Sequence, residues 1–134
     1  MSHDSSWATA ALRIHSSTLD ARKIAEVLQT EPTSFAVMGE RLSPNNPRSA
    51  VCASHLWVLD SNLKSAQLEE HIRHLAEFVE QHLPALKAIS QSCEIDVFCG
   101  FSSESGQGTI TIDANLIQRL SILPLDLVFD LYPA

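Results

Sequence analysis

Several groups of residues have types and spacings that could do chemistry. His71 and His74 stand three apart, with Glu70 four before His74 and Glu77 three after it. Metal sites on helices use such spacings, because residues three and four apart share a face. On the helical wheel, however, His71 falls at the edge of the apolar stripe, while Glu70, His74 and Glu77 turn toward solvent. His82 would lie about 16 Å along the axis from His71, too far to complete the shell of one ion. Neither an H-E-x-x-H run nor a Cys/His zinc pattern is present, so no metal or other cofactor is expected.

The segment Gly100-Phe101-Ser102-Ser103-Glu104-Ser105-Gly106-Gln107-Gly108 has the glycines of a phosphate cradle. A phosphate loop needs a helix N-terminus behind it and usually a lysine. Here a strand-like run follows, Glu104 adds the wrong charge and no lysine is near, so a hairpin turn is expected. Nucleophilic catalysis has no G-x-S-x-G elbow to stand on, and no catalytic residue is assigned. Cys52, Cys93 and Cys99 form no C-x-x-C pair. Cys93 and Cys99 would be about 20 Å apart along one strand, too far to bridge, and buried free thiols are expected.

The elements that would position these residues can be read from periodicity. Leu12 and Ile14 share one face of a first strand through Ala10–His15, with Arg13 and His15 on the other. Asp20 is placed to cap a short helix with the stripe Ile24, Val27 and Leu28, and Leu19 to staple onto Ile24. Phe35–Gly39 and Leu56–Leu59 read as second and third strands, apolar on successive residues and so covered on both sides in part. Arg41–Ser54, punctuated by Pro44, Asn45, Asn46 and Pro47, reads as the long connection of their hairpin, serving either recognition or mobility. Ser65 is expected to cap a long helix with the stripe Leu68, Ile72, Leu75, Val79, Leu83 and Leu86, kinked or restarted at Pro84. Cys93–Cys99 alternates as a fourth strand, Thr109–Ile112 reads as a fifth, Asp113 caps a third helix and Leu125–Leu131 closes as a sixth strand.

The order predicts one α+β domain over residues 1–134, with a mostly antiparallel sheet and helices on one face. A ferredoxin-like βαββαβ pattern would be followed by an extra βαβ unit. The alternation leaves one sheet face open, displaying Arg13, His15, Glu94, Asp96, Phe98, Thr111, Asp126, Val128, Asp130 and Tyr132, with Trp57 joining if its strand points that way. Sixteen acids against nine bases give a formal charge of −7, and the bases are scattered singly apart from Arg22–Lys23. Phosphate backbones and anionic membranes need clustered positive charge, so neither nucleic acid nor membrane is an expected partner. The first six residues lack a secretory pattern and no apolar run approaches the roughly 20 residues of a span, which predicts a cytoplasmic location.

Leu12-x-Ile14, Leu19-Asp20, Ile24, Leu28, Pro32-Thr33, Gly39-Glu40, Trp57-x-Leu59-x-Ser61, Leu68-Glu69-Glu70-His71-Ile72 and the closing Leu125–Tyr132 segment together resemble a family of small, mainly bacterial proteins. That family is domain of unknown function 4279, and the resemblance covers nearly the whole chain. It implies a standalone α+β domain and carries over no activity, cofactor or site residue.

Three functions stand at this point. A non-catalytic binding protein would use the open acidic and aromatic face for self-association as a homodimer, or for a basic protein partner. A small-ligand binder or enzyme would draw on Glu40, His55, Trp57 and Asp60 near the 41–54 loop. A structural accessory domain with a merely solvated sheet face is the third.

Overall fold

A computed structural model describes residues 6–105 and 108–132. The start of the chain read for a secretory pattern, up to residue 5, and Gly106–Gln107 of the expected hairpin turn lie outside the described residues. The sheet has five strands: β1 (Trp7–Ser16), β2 (Ser34–Ala36), β3 (His55–Asp60), β4 (Glu94–Ser102) and β5 (Asp126–Tyr132). Four helices accompany them: α1 (Ala21–Leu28), α2 (Leu68–Gln81), α3 (Leu83–Ile89) and α4 (Ala114–Leu120), with a 3-10 turn at Ser90–Ser92. The α+β class is as the sequence predicts. The strand order is β2-β3-β1-β4-β5. The β2–β3, β3–β1 and β1–β4 pairings are antiparallel and β4–β5 is parallel, so the sheet is mixed.

β1 is central because its alternation is the longest. Ala8, Ala10, Leu12, Ile14 and Ser16 are buried, whereas the odd residues between them keep some exposure. Leu12 and Ile14 join Ile24 and Leu28 of α1, Ile72 and Val79 of α2, Val97 of β4 and Leu116 of α4 in one apolar core. Each fully buried Leu or Ile contributes roughly 1.5–3 kcal/mol. Asp20 and Asp113 cap α1 and α4, accepting from the N–H groups of Lys23 and Leu116, each at 2.8 Å.

Two expectations fail for identifiable reasons. Thr109–Ile112 is not a strand. β4 has β1 on one side and β5 on the other, so no ladder position beside it is left. Ile110 and Ile112 instead pack irregularly against the core, and the chain passes from β4 through α4 to β5. The expected extra βαβ unit therefore lacks a first strand of its own, and Thr111 does not join the sheet face. Ser65 does not cap α2 either, because the helix begins at Leu68. Its hydroxyl accepts from the Gln67 N–H at 3.0 Å, and its carbonyl is held by a histidine described below. Pro84 restarts the helix: it stands in the first turn of α3, where a missing N–H costs nothing.

The β2–β3 connection is a hydrogen-bonded arm. Arg41 bridges to Val51, and the N–H groups of Gly39, Leu42 and Cys52 bond to the carbonyls of Cys52, Ala50 and Glu40. Gly39 turns into it at φ +88°, where a side chain would be strained. No helix among the described residues is long and apolar enough to cross a membrane.

Candidate functional site

The register of β1 on β4 sets Arg13 opposite Asp96, Ala11 opposite Phe98 and His15 opposite Glu94. Arg13 and Asp96 form a two-pronged ion pair, Nε to Oδ1 at 2.7 Å and Nη2 to Oδ2 at 2.9 Å. His15 Nε2 lies 3.3 Å from the same Oδ2, and the Arg13 guanidinium sits 4.2 Å from the centre of the Phe98 ring. The four residues predicted for this part of the face are therefore brought together, with the arginine held between a carboxylate and an aromatic surface.

The parallel register of β5 adds Asp126 beside Asp96, Val128 beside Phe98, Asp130 beside Gly100 and Tyr132 beside Ser102. Trp7, at the start of β1, reaches Tyr132 with ring centres 5.0 Å apart. Gly100 makes room for it: a Cβ there would stand 2.8 Å from Thr9 Oγ1 and 3.1 Å from the Trp7 ring. The Tyr132 hydroxyl donates to Asp130 Oδ2 at 2.6 Å. That bond, with the carboxylate's charge, raises the phenol's pKa and keeps it a donor. The face thus has an arginine–carboxylate–aromatic end and an aromatic–carboxylate end, with Glu94 of β4 and Asp126 of β5 exposed.

The second predicted group is not brought together. Trp57 is fully buried on the core side, stacked on Phe78 at 6.2 Å, and so does not join the sheet face that carries Arg13 and Phe98. The register explains this, because Trp57 faces Ile14, a core residue of β1. His55 and Asp60 occupy opposite ends of β3, about 17 Å apart at the usual rise. His55 Nδ1 accepts from the Met38 N–H at 3.2 Å, and Glu40 is exposed in the arm.

One polar pair stands out that the sequence reading did not assemble. Ser61 and His71 are both buried, with Ser61 Oγ 2.5 Å from His71 Nδ1 and His71 Nε2 2.7 Å from the Ser65 carbonyl. A carbonyl only accepts, so Nε2 carries a proton. A serine hydroxyl against an imidazole is also how hydrolases arrange a nucleophile, and Ser61 borders clefts of 450 and 380 Å³. Here both ring nitrogens are occupied in fastening the β3–α2 connection, and Ser61 itself is only 4% exposed. The pair is a buried tie. Its one legible signal is that His71 falls at the edge of the apolar stripe, where a polar ring needs a partner.

All three cysteines are free, but only Cys99 is buried as expected, while Cys52 and Cys93 keep partial exposure. Burial and the Asp96 charge push the Cys99 thiol up to about 12, and burial raises that of Cys93. Among the described residues no group of three or more His, Cys, Asp or Glu side chains could hold a metal ion.

Residues 6–134 match one protein family, described as Domain of unknown function (DUF4279). The chain belongs to that family. No curated protein and no solved structure matches it. For this DUF4279 chain the site must therefore be argued from geometry. On this sheet face contacts join Arg13, His15, Asp96 and Phe98 in one cluster and Trp7, Tyr132 and Asp130 in another. Trp7 was missed because the β1 alternation was followed back only to Ala10; continued through Thr9 it reaches an exposed tryptophan.

Proposed function

We propose that this is a non-catalytic, cytoplasmic binding protein that uses the open face of its sheet for self-association or for a basic protein partner. The observation that carries this reading is a pair of aromatic and charged clusters on one sheet face, Arg13 with Asp96 and Phe98, and Trp7 with Tyr132. Aromatic residues and arginine are what protein interfaces concentrate. The acids of this face, in a chain of net charge −7, favour a basic partner over a nucleic acid. The order β2-β3-β1-β4 in the first four strands supports a ferredoxin-like arrangement with helices on the other face, which leaves this one open.

The test compares wild type with a Phe98→Ala, Tyr132→Ala double variant. Each is examined by sedimentation over a concentration series and by cross-linked co-purification from the native host. The expected result is an association, with itself or with a protein, that the double variant loses. Associations that are equal in the two proteins, or absent from both, overturn the reading.

A further inference from the structure

The two edges of the sheet are β2 and β5. An edge strand displays a row of unpaired N–H and C=O groups, and proteins commonly blunt such edges with short strands, prolines or charges. β5 is seven residues long and contains no proline. Its core-side row is Leu127, Phe129 and Leu131, with no charge in it, yet Phe129 is 44% and Leu131 67% exposed. A strand of this length with an uncovered apolar row is suited to pairing with another strand.

The order of residues identifies a partner. Two identical edges related by a two-fold axis normal to the sheet run antiparallel, and each residue then faces one of its own side-chain parity. The axis must therefore pass through a residue position. Centred on Phe129, all seven residues of Asp126–Tyr132 pair. Phe129 faces itself, Leu127 faces Leu131, Val128 faces Asp130 and Asp126 faces Tyr132 of the second copy. Apolar residues meet apolar residues on the core side, and no acid faces an acid; the nearest acids across the junction are diagonal neighbours, roughly 7–8 Å apart. Centring on Val128 sets Asp126 against Asp130, and centring on Asp130 sets that acid against itself. Centring on Leu127 or Leu131 leaves more than half of the strand unpaired.

We infer that two copies of this chain join edge to edge through β5, antiparallel and centred on Phe129, into one continuous ten-stranded sheet. The two open faces then lie on the same side, with a Trp7–Tyr132 pair flanking each end of the junction. This deepens the binding function proposed above and rests on it only in taking the sheet as the site of protein contact. Phe98 lies on β4, off the junction, so Phe98→Ala reports on the face and Phe129 variants report on the edge.

The decisive experiment is sedimentation of the full chain up to about millimolar concentration, the range in which weak association is populated. Wild type should dimerise. Phe129→Lys and Phe129→Glu should each be monomeric, because like charges would face each other at the axis, and an equal mixture of the two should dimerise again. Phe35→Lys, which changes the exposed phenylalanine of the other edge strand, should leave the dimer unchanged. Circular dichroism confirms that each variant is folded. If the charge variants do not fold, single cysteines replace them. Phe129→Cys should cross-link to itself on mild oxidation, since opposed residues lie 4.5–5.5 Å apart at Cα, whereas Leu127→Cys should cross-link no more than wild type with its native cysteines. A monomeric wild type overturns the inference while leaving a heterologous partner for the face. A dimer that survives both charge variants, a mixture that stays monomeric, or stronger cross-linking at residue 127 than at 129 overturns it as well.

Discussion

The two edges of this sheet are built in opposite ways. β2 has three residues, follows Pro32 closely and leads through Gly39 into an arm bonded to itself. Thr33 clasps it to β3 from both sides, its N–H on the Val58 carbonyl at 2.7 Å and its hydroxyl on the Asp60 N–H at 3.0 Å. β5 has seven residues and no comparable clasp among the contacts described. The fastenings behind the two edges differ as well. On the β3 side, the buried Ser61–His71–Ser65 chain ties the strand end to α2. On the β5 side, α4 is tied to α2 by the exposed ion pairs Arg73–Asp113 at 3.1 Å and Arg119–Glu80 at 2.6 Å. The Leu116 N–H and then Arg73 lower the carboxyl pKa of Asp113, Arg119 lowers that of Glu80, and Glu80 raises that of Arg119, but exposed pairs contribute little. Both edges carry an exposed phenylalanine, Phe35 at 64% and Phe129 at 44%, so the proposed pairing through β5 rests on strand length and register and not on apolar exposure.

The sharpest way to break this contrast is His71→Ala. It removes a fully buried ring and leaves the Ser61 hydroxyl and the Ser65 carbonyl without their partner. Cavity and unsatisfied groups together should cost about 3 kcal/mol, read from the shift in urea midpoint. A cost no larger than that of removing an exposed ion-pair partner such as Glu80 would show that the two halves are fastened alike.

Next in size is Gly100→Ala. The added methyl would meet Thr9 Oγ1 at 2.8 Å and the Trp7 ring at 3.1 Å, so Thr9 must shift and the Trp7 ring must give by a few tenths of an ångström beside Tyr132. Overpacking of this kind costs about 1–3 kcal/mol. The loss should come with a change in tryptophan fluorescence, because Trp57 in the core is untouched and Trp7 is the only other tryptophan. An unchanged spectrum and midpoint would mean that the aromatic end of the face is not held in place by the glycine.

The parts of this fold legible in the sequence are those fixed by side-chain periodicity. Leu12 and Ile14 against Arg13 and His15 gave the two faces of β1, and Asp20 and Asp113 gave two helix starts. The parts that were not legible depend on which neighbours a segment finds. Thr109–Ile112 alternates as a strand does, but alternation cannot reveal that both sides of β4 are already taken. The apolar run around Trp57 could not show which face is covered until the register with Ile14 was known. Of the candidate site, the strip Arg13, His15, Asp96 and Phe98 was readable because two alternating strands lie side by side. The Ser61–His71 tie was not, since it joins a loop residue to a helix ten positions away with no periodic signal in common.

The smallest effect tests the β5 edge most finely. Tyr132 is the only tyrosine in the chain, so tyrosinate absorbance reports on that one phenol. Its pKa lies above the ordinary 10.0 because it donates to Asp130 and because the phenolate would face that carboxylate's charge. The favourable contribution of this bond is present below the unfolded phenol's pKa and is lost as pH rises through the folded one. Asp130→Asn should move the titration midpoint down toward the ordinary value, with little effect on stability at neutral pH, since the Tyr132 side chain is exposed. Pairing about Phe129 adds a second carboxylate, because Asp126 of the other copy then faces Tyr132. The wild-type midpoint should therefore rise further as protein concentration increases, and the Phe129→Lys midpoint should not. A midpoint that is independent of concentration in a demonstrated dimer would shift the register away from Phe129 while leaving the edge itself as the contact.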